Sequence, residues 1–280
     1  MQLKALVKNK AAAKGLSSSL VLQNYMMERL LERISRSKYR QNFILKGGFL
    51  IGSIVGLDAR ATMDIDATMQ GFPLTHESVR TLFDEVCAIV IEDDVTFAVS
   101  RITDIRESDD YPGMRIGLVA NYPPMKVPLT VDVTAGDRIT PRAVEYSFRL
   151  LFEERSIPVL AYNLETLLAE KLETVLSRNV ANTRPRDFYD IHVLFALHGS
   201  SVRLDVLKAA LEATTTKRGS QSVLPQYRRI IDSVRSSPNL LEFWKNYQRE
   251  FLYARGISFD EACDSILQIM DNLESPPGLR

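Results

Sequence analysis

The hydrophobic period of this chain changes once, and that change limits what it can become. Up to about residue 160, short runs such as "VTFAVSRITDI", "MRIGLVANY", "VPLTVDVTA" and "YSFRLLF" are separated by Pro and Gly. They read as strands with turns between them. From Asn163 onward the spacing becomes helical, in "NLETLLAEKLETVLSR", "RPRDFYDIHVLFAL", "VRLDVLKAALEA", "LEFWKNYQREFLYAR" and "SFDEACDSILQIMDNL". Two longer helices are also expected in the first part. One follows the Ser17–Ser19 cap, where Leu22, Met26, Leu30 and Ile34 recur every four residues; the other is "THESVRTLFDEVCAIV". The expected class is α+β, with a core over 1–160 and a helical part over 161–280.

Composition removes several classes. The chain has 280 residues, with 35 basic and 35 acidic side chains. The zero balance does not indicate a strongly basic nucleic-acid binder, although a local patch is allowed. Two cysteines, Cys87 and Cys263, argue against a disulfide framework and for a reducing compartment. No apolar run is long enough for a membrane span or a signal peptide, so a cytoplasmic protein is expected. The terminal "ESPPGLR" reads as a frayed tail.

Within the strand-like part, "ILKGGFLIGSIVGLDARATMDIDATM" carries the chemistry. "FILKGG" reads as a buried strand ending in a glycine turn, "FLIGSIVGL" as a short buried helix, and "TMDIDATM" as a strand. In a strand, residues two apart share a face. Asp64 and Asp66 therefore converge, about 6–7 Å apart along the pleat, while Ile65 points to the core. Like charges so placed repel unless a cation sits between them, and oxygen donors with room for water and phosphate suit Mg²⁺. Gly47 and Gly48 upstream allow a backbone to approach phosphates, and Arg60 and Thr62 add a donor and a hydroxyl. Asp132, mid-strand in "LTVDVTAGD", is the expected third carboxylate, because an Asp there is costly without a partner. Asp137, in a Gly-Asp turn, is its rival and reads as structural. Three carboxylates and a glycine turn point to two-metal phosphoryl transfer.

In the helical part, Lys171 falls on the apolar face of its helix. Either it snorkels along the helix, or it reaches into the carboxylate-lined cleft to hold a triphosphate. Asp187 and Asp190 border the face buried by Ile191, Leu194 and Phe195. Asp187 either caps its helix or pairs with Lys171. His76, His192 and His198 have no ligand spacing with a Cys, and no phosphate-binding P-loop is present.

"FILKGG...ARATMDID", "VDVTAGDRITPR" and "YNLETLLAEKLETVLSRNVANTRPRDFYDIHVL", in that order, resemble the AbiEii/AbiGii toxin family over about residues 12–200. The last 80 residues look like that family's variable helical tail. The resemblance implies a DNA polymerase β-type nucleotidyltransferase core with a mixed sheet and a helical C-terminal part. Gly47, Gly48, Asp64 and Asp66 match the first catalytic motif, and Lys171 and Asp187 match the later lysine and aspartate motifs. Related enzymes carry Gly-Ser at the turn, where this chain has Gly48-Phe49, and Ser53 is a poor substitute.

The expected function is an Mg²⁺-dependent nucleotidyltransferase toxin of a type IV toxin–antitoxin or abortive-infection system, a form of phage defence. Asp64, Asp66 and Asp132 would hold metal; Lys171 would bind the NTP, and Asp187 would orient Lys171 or the nucleotide. A tRNA 3′ end is the acceptor that the family suggests, and an antitoxin the expected partner. The alternatives are transfer to a small molecule of the aminoglycoside kind and a non-catalytic nucleotide-binding module. Asp109-Asp110 would favour a hydroxyl-rich antibiotic and Lys217-Arg218 would favour RNA, although "TTTKRGS" reads first as an exposed polar loop.

Overall fold

The strand carrying the paired aspartates, β2 (Asp64–Met69), lies inside the sheet rather than at its edge. It pairs antiparallel with β1 (Phe43–Lys46) and parallel with β5 (Met125–Ala135). Beyond β5 come β4 (Gly113–Tyr122) and then β3 (Thr96–Ile105), both antiparallel. Beyond β1 comes β7 (Ser156–Ala161), which is parallel to it, and then β6 (Val144–Arg149), antiparallel. The order β3-β4-β5-β2-β1-β7-β6 makes a seven-stranded mixed sheet. This computed structural model describes residues 2–105 and 113–274. Asp109-Asp110 and all of the terminal tail except Glu274 lie outside them.

Register divides the sheet chemically. Ile65, Ala67, Val131, Val133, Met114, Ile116 and Leu118 share one face and are all buried. Lys46, Asp64, Asp66, Thr68, Thr130, Asp132, Thr134 and Arg115 share the other. Four helices belong to the same unit: α1 (Gln2–Lys14), α2 (Ser18–Arg36), α3 (Gly47–Val55) and α4 (His76–Cys87). Ser17 starts α2 by accepting from the Leu20 N–H at 3.2 Å. This helix packs against β5 and β7 and buries Met27, Leu30, Leu31 and Ile34. It also buries two arginines. Arg33 grips Asp93 with both terminal nitrogens, at 2.8 and 2.9 Å, and Arg29 reaches Glu153 at 2.9 Å. Buried charge is tolerated here because each guanidinium is paired.

Two elements go beyond the sequence reading. The mildly basic N-terminal stretch is helical, as α1, and "SIPVLA" forms β7, the strand that joins β6 to the rest of the sheet. The glycine pair is also not a turn after β1: it opens α3 directly.

Arg138–Arg142 and Asn163–Arg280 form a second compact unit, separate from Met1–Asp137 with Ala143–Tyr162. Its described helices are α5 (Leu164–Arg178), α6 (Pro185–His198), α7 (Leu204–Arg218), α8 (Tyr227–Arg235), α9 (Pro238–Glu250) and α10 (Phe259–Glu274). Asn163 caps α5 by accepting from the Thr166 N–H at 2.7 Å, and Pro185 opens α6. Lys217 and Arg218, expected in an exposed polar loop, instead form the last turn of α7. There Arg218 pairs with Glu173 and Glu170 of α5, so its charge is spent on helix packing.

Candidate active site

The site is built where β1 ends. Gly47 has φ +66°, a left-handed conformation that favours glycine, and its backbone lies against the Asp66 side chain. A Cβ placed on Gly47 would come within 2.7 Å of both Cβ and Cγ of Asp66, closer than nonbonded carbons approach. At Gly48 an added Cβ would meet Thr62 Oγ1 at 3.0 Å and Arg60 Nη2 at 3.1 Å. The two glycines therefore let the start of α3 press down onto the segment that delivers Asp64 and Asp66. No side chain caps that helix end. Its first N–H groups and its dipole favour an anion beside the carboxylates once a cation is bound there.

Thr62 and Arg60 are both buried. The Thr62 hydroxyl donates to Asp64 Oδ1 at 2.7 Å, which orients that carboxylate. Arg60 donates to the Ala61 carbonyl and packs under Gly48. Gly47, Gly48, Arg60 and Thr62 thus gather around Asp64 and Asp66 within one unit.

Register sets Asp132 beside Asp66 on the same face, and Arg115 beside Asp132. Arg115 Nε donates to Asp132 Oδ1 at 2.8 Å and Nη2 donates to Oδ2 at 2.7 Å. These bonds to Asp132, its charge, and the more distant charges of Asp64 and Asp66 hold the Arg115 pKa above its ordinary value. The expected rival, Asp137, is committed elsewhere. Its Oδ2 accepts from Lys46 Nζ, Thr68 Oγ1 and Thr134 Oγ1, each at 2.6 Å. That network ties the end of β1, one residue before Gly47, to the end of β5. The Ser53 hydroxyl is likewise engaged, with Tyr146 Oη at 2.9 Å.

Among the described residues no three His, Cys, Asp or Glu side chains are placed as a metal-binding group. Asp64 and Asp66 nevertheless fit the ion that the sequence implies. They are hard oxygen donors on one face, beside the backbone of Gly47. Mg²⁺ is commonly held by one or two carboxylates, with substrate phosphates and water completing the octahedron.

A cavity of about 810 Å³ in the same unit lies between α1, α2, α3 and the segment after β6. Thr62 and Glu28 line it, but Asp64 and Asp66 do not. Burial pushes the Glu28 carboxyl up to about 7.

In the second unit, Lys171 Nζ lies 2.6 Å from Asp187 Oδ1 and 2.9 Å from Asp190 Oδ2. Both aspartates are fully buried and the lysine is 12% exposed. Arg184 Nε adds an ion pair to Asp187 Oδ2 at 3.0 Å. Asp187 therefore anchors Lys171, and Asp190 shares that task. The spacing of Asp187 and Asp190, three residues apart on a helix, was the signal for it. Arg115 and Lys46 gave no such signal, since each reads as an ordinary polar residue of a strand.

A family model described as the nucleotidyl transferase AbiEii toxin of type IV toxin–antitoxin systems matches residues 29–265. The chain belongs to the AbiEii family. The match spans both units and runs to residue 265, beyond the residue 200 or so over which the motifs carry the resemblance. Two solved structures share the fold. A candidate nucleotidyltransferase from H. pylori aligns with a TM-score of 0.53 at 12% identity, covering 92% of this chain and 96% of the other. JHP933 from Helicobacter pylori aligns with a TM-score of 0.52 at 12% identity, covering 92% and 93%. No curated protein matches the chain. As an AbiEii protein the chain is a nucleotidyltransferase toxin, of a type IV toxin–antitoxin family that implies an NTP substrate and an antitoxin partner. No helix among the described residues is long and apolar enough to cross a membrane.

The glycine cradle gives this AbiEii site a sharp test. Gly47→Ala should cost roughly 1 kcal/mol for its left-handed backbone, and more for the contact with Asp66. Because the cheapest relief is to displace the Asp66 carboxylate, nucleotide transfer should fall by at least about ten-fold while the fold is kept. A steady-state assay alongside thermal unfolding checks this; a folded variant with unchanged turnover would remove the cradle from the mechanism.

Proposed function

We propose that this AbiEii protein transfers a nucleoside monophosphate from an NTP to a hydroxyl at the 3′ end of tRNA. The observation that carries the reading is the Asp64–Asp66 pair set against the backbone of Gly47 at the uncapped start of α3. Asp64 and Asp66 would hold Mg²⁺, which supplies charge neutralisation for the leaving pyrophosphate and activation of the acceptor hydroxyl. The residues of the chain supply the positioning. Thr62 fixes the rotamer of Asp64. The Lys46–Asp137 pair fixes the end of β1, and with it the glycine pair that follows. The N–H groups that open α3 would receive phosphate oxygens. Lys171 would hold the triphosphate and Asp187 would orient Lys171 or the nucleotide, a role supported by their order in the sequence and their 2.6 Å contact.

An RNA acceptor is supported by α1, which carries Lys4, Lys8, Lys10 and Lys14 and no acidic residue. Lys4 and Lys8 are exposed, as a surface that tracks phosphates requires. The loss of Arg218 to helix packing removes one basic residue from that argument but leaves α1 intact.

The test uses the purified protein with Mg²⁺, each α-labelled NTP in turn, and deacylated tRNA. Label should appear at the tRNA 3′ end. Label on an aminoglycoside and none on tRNA would replace the acceptor; label on neither would reject the reading. In a bacterial host, expression should slow growth and Asp64→Ala should relieve it. Equal toxicity of a well-expressed Asp64→Ala protein would mean that the chemistry is not the cause.

A further inference from the structure

The backbone of 60–63, the arm that delivers Asp64 to the sheet, belongs to no helix or strand. Its carbonyls must therefore find partners outside regular structure. Helix α2 supplies two. Asn24 Nδ2 donates to the Thr62 carbonyl at 3.0 Å, and Gln23 Nε2 donates to the Met63 carbonyl at 2.7 Å. From α3 the same arm is approached closely: a Cβ added at Gly52 would lie 2.6 Å from the Arg60 carbonyl oxygen. Asn24 is an unusual residue for its place. It is 7% exposed, inside α2, three residues from the buried Val21 and three from the buried Met27. Asn is a mediocre helix former, and a buried amide is costly unless it is bonded. Its amide nitrogen carries two N–H donors, and both are used, since the second goes to the Leu20 carbonyl at 2.9 Å. Asp has no donor at neutral pH and Ser has one, so neither serves both carbonyls.

We infer that Asn24 is a positioning residue for nucleotide transfer: it holds the Thr62 backbone, and thereby sets the Thr62 hydroxyl that orients Asp64. The inference rests on the reading of Asp64 as a residue of the transfer site. The path is short. Asn24 fixes the Thr62 carbonyl, the Thr62 hydroxyl donates to Asp64 Oδ1 at 2.7 Å, and Gln23 fixes the residue between them. Met63 is 56% exposed, so its own side chain does little to anchor the arm and the backbone bonds carry the task. The Gln23 bond is exposed to competition from water, whereas the Asn24 bond is buried, so Asn24 supplies more of the restraint. A shift of about 1 Å in a reacting group is enough to cost a large part of its contribution to rate.

The experiment compares the full-length wild type with Asn24→Leu and Asn24→Asp, which keep the approximate size of the side chain and lose both donors. Truncation to Ala is avoided, because Asn24 and Thr62 both line the cavity beside α1 and a water there could take over the bonds. Hydrogen–deuterium exchange of peptides covering 58–66 reads the restraint without any substrate, and it should be faster in both variants by at least about three-fold. Measured below the thermal transition, kcat for nucleotide transfer should fall by at least about ten-fold, with KM for the NTP within about two-fold of wild type. Gln23→Ala, a surface change that leaves the buried bond in place, should show both effects in milder form. Thr62→Val cuts the same route one step later, so Asn24→Leu combined with it should lose clearly less than the product of the two single losses. Unchanged exchange in 58–66 overturns the role of Asn24 whatever the activity. Faster exchange with unchanged kcat, or losses that simply multiply, also overturns it and leaves Asp64 in place if Asp64→Asn transfers nothing. Wild-type transfer by a folded Asp64→Asn protein overturns the reading of Asp64, and the positioning role with it.

Discussion

Asp66→Asn should fold like the wild type and transfer no measurable nucleotide. The substitution keeps the shape of the side chain, so the cradle at Gly47 is preserved. It removes one negative charge from a face that already carries Asp64 and Asp132, and relieving repulsion should leave stability unchanged or slightly raised. Activity should respond in the opposite direction. Asn offers one neutral oxygen where a metal-binding carboxylate is needed. Ions in such sites supply several kcal/mol of transition-state stabilisation, and each ~1.4 kcal/mol is ten-fold in rate. A loss of at least about a thousand-fold is therefore expected. The thermal midpoint and the transfer rate must be measured on one preparation. Wild-type turnover by a folded Asp66→Asn protein would end the assignment of Asp66, and a collapse of the fold would show that its charge is structural.

Lys171→Met should unfold the helical unit far more easily than wild type. As a lysine snorkelling along a helix, Lys171 would be dispensable to stability. The structure reverses that expectation, because its ammonium lies between two fully buried carboxylates. Removing one partner of a buried ion cluster leaves charge stranded in a medium that solvates it poorly, at a cost of about 3–5 kcal/mol. Arg184 remains beside Asp187, at 3.0 Å. The drop in midpoint should be on the order of 10 °C. Adding Asp190→Asn to Lys171→Met should restore a large part of it, since the stranded charge is then gone. Nucleotide affinity, taken below the transition, reports separately on the triphosphate. An unchanged midpoint would return Lys171 to the surface class; unchanged affinity would confine it to holding α5 and α6 together.

Much of this was legible because it is local. Residues two apart in a strand share a face whatever the tertiary fold, so Asp64 and Asp66 were paired from their spacing and Ile65 was placed in the core, where it is fully buried. Ser17, Thr75 and Asn163 announce helix starts through hydrogen bonds within three residues. That Lys171 lies on the inner face of its helix followed from helical spacing; its pairing with Asp187 was one of two open readings, and its contact with Asp190 came from the structure. β7 escaped notice because Pro158 interrupts a short apolar run, and its pairing with β1 joins residues more than a hundred positions apart.

By itself, then, the sequence determined the α+β class, the shared face of the two aspartates, the glycine pair before them and the family. Each is a matter of residue type and near-neighbour spacing. Only the tertiary structure decided which cation meets which carboxylate. Lys46 passes over Asp66, its neighbour in register, for Asp137, and Arg115 takes Asp132 across a strand boundary. Nothing in the spacing of Arg115 and Asp132 along the chain shows that β4 and β5 bring them level. Strand register is fixed by the packing of the whole apolar face beneath, and a shift by one residue would have turned every one of these side chains to the other side.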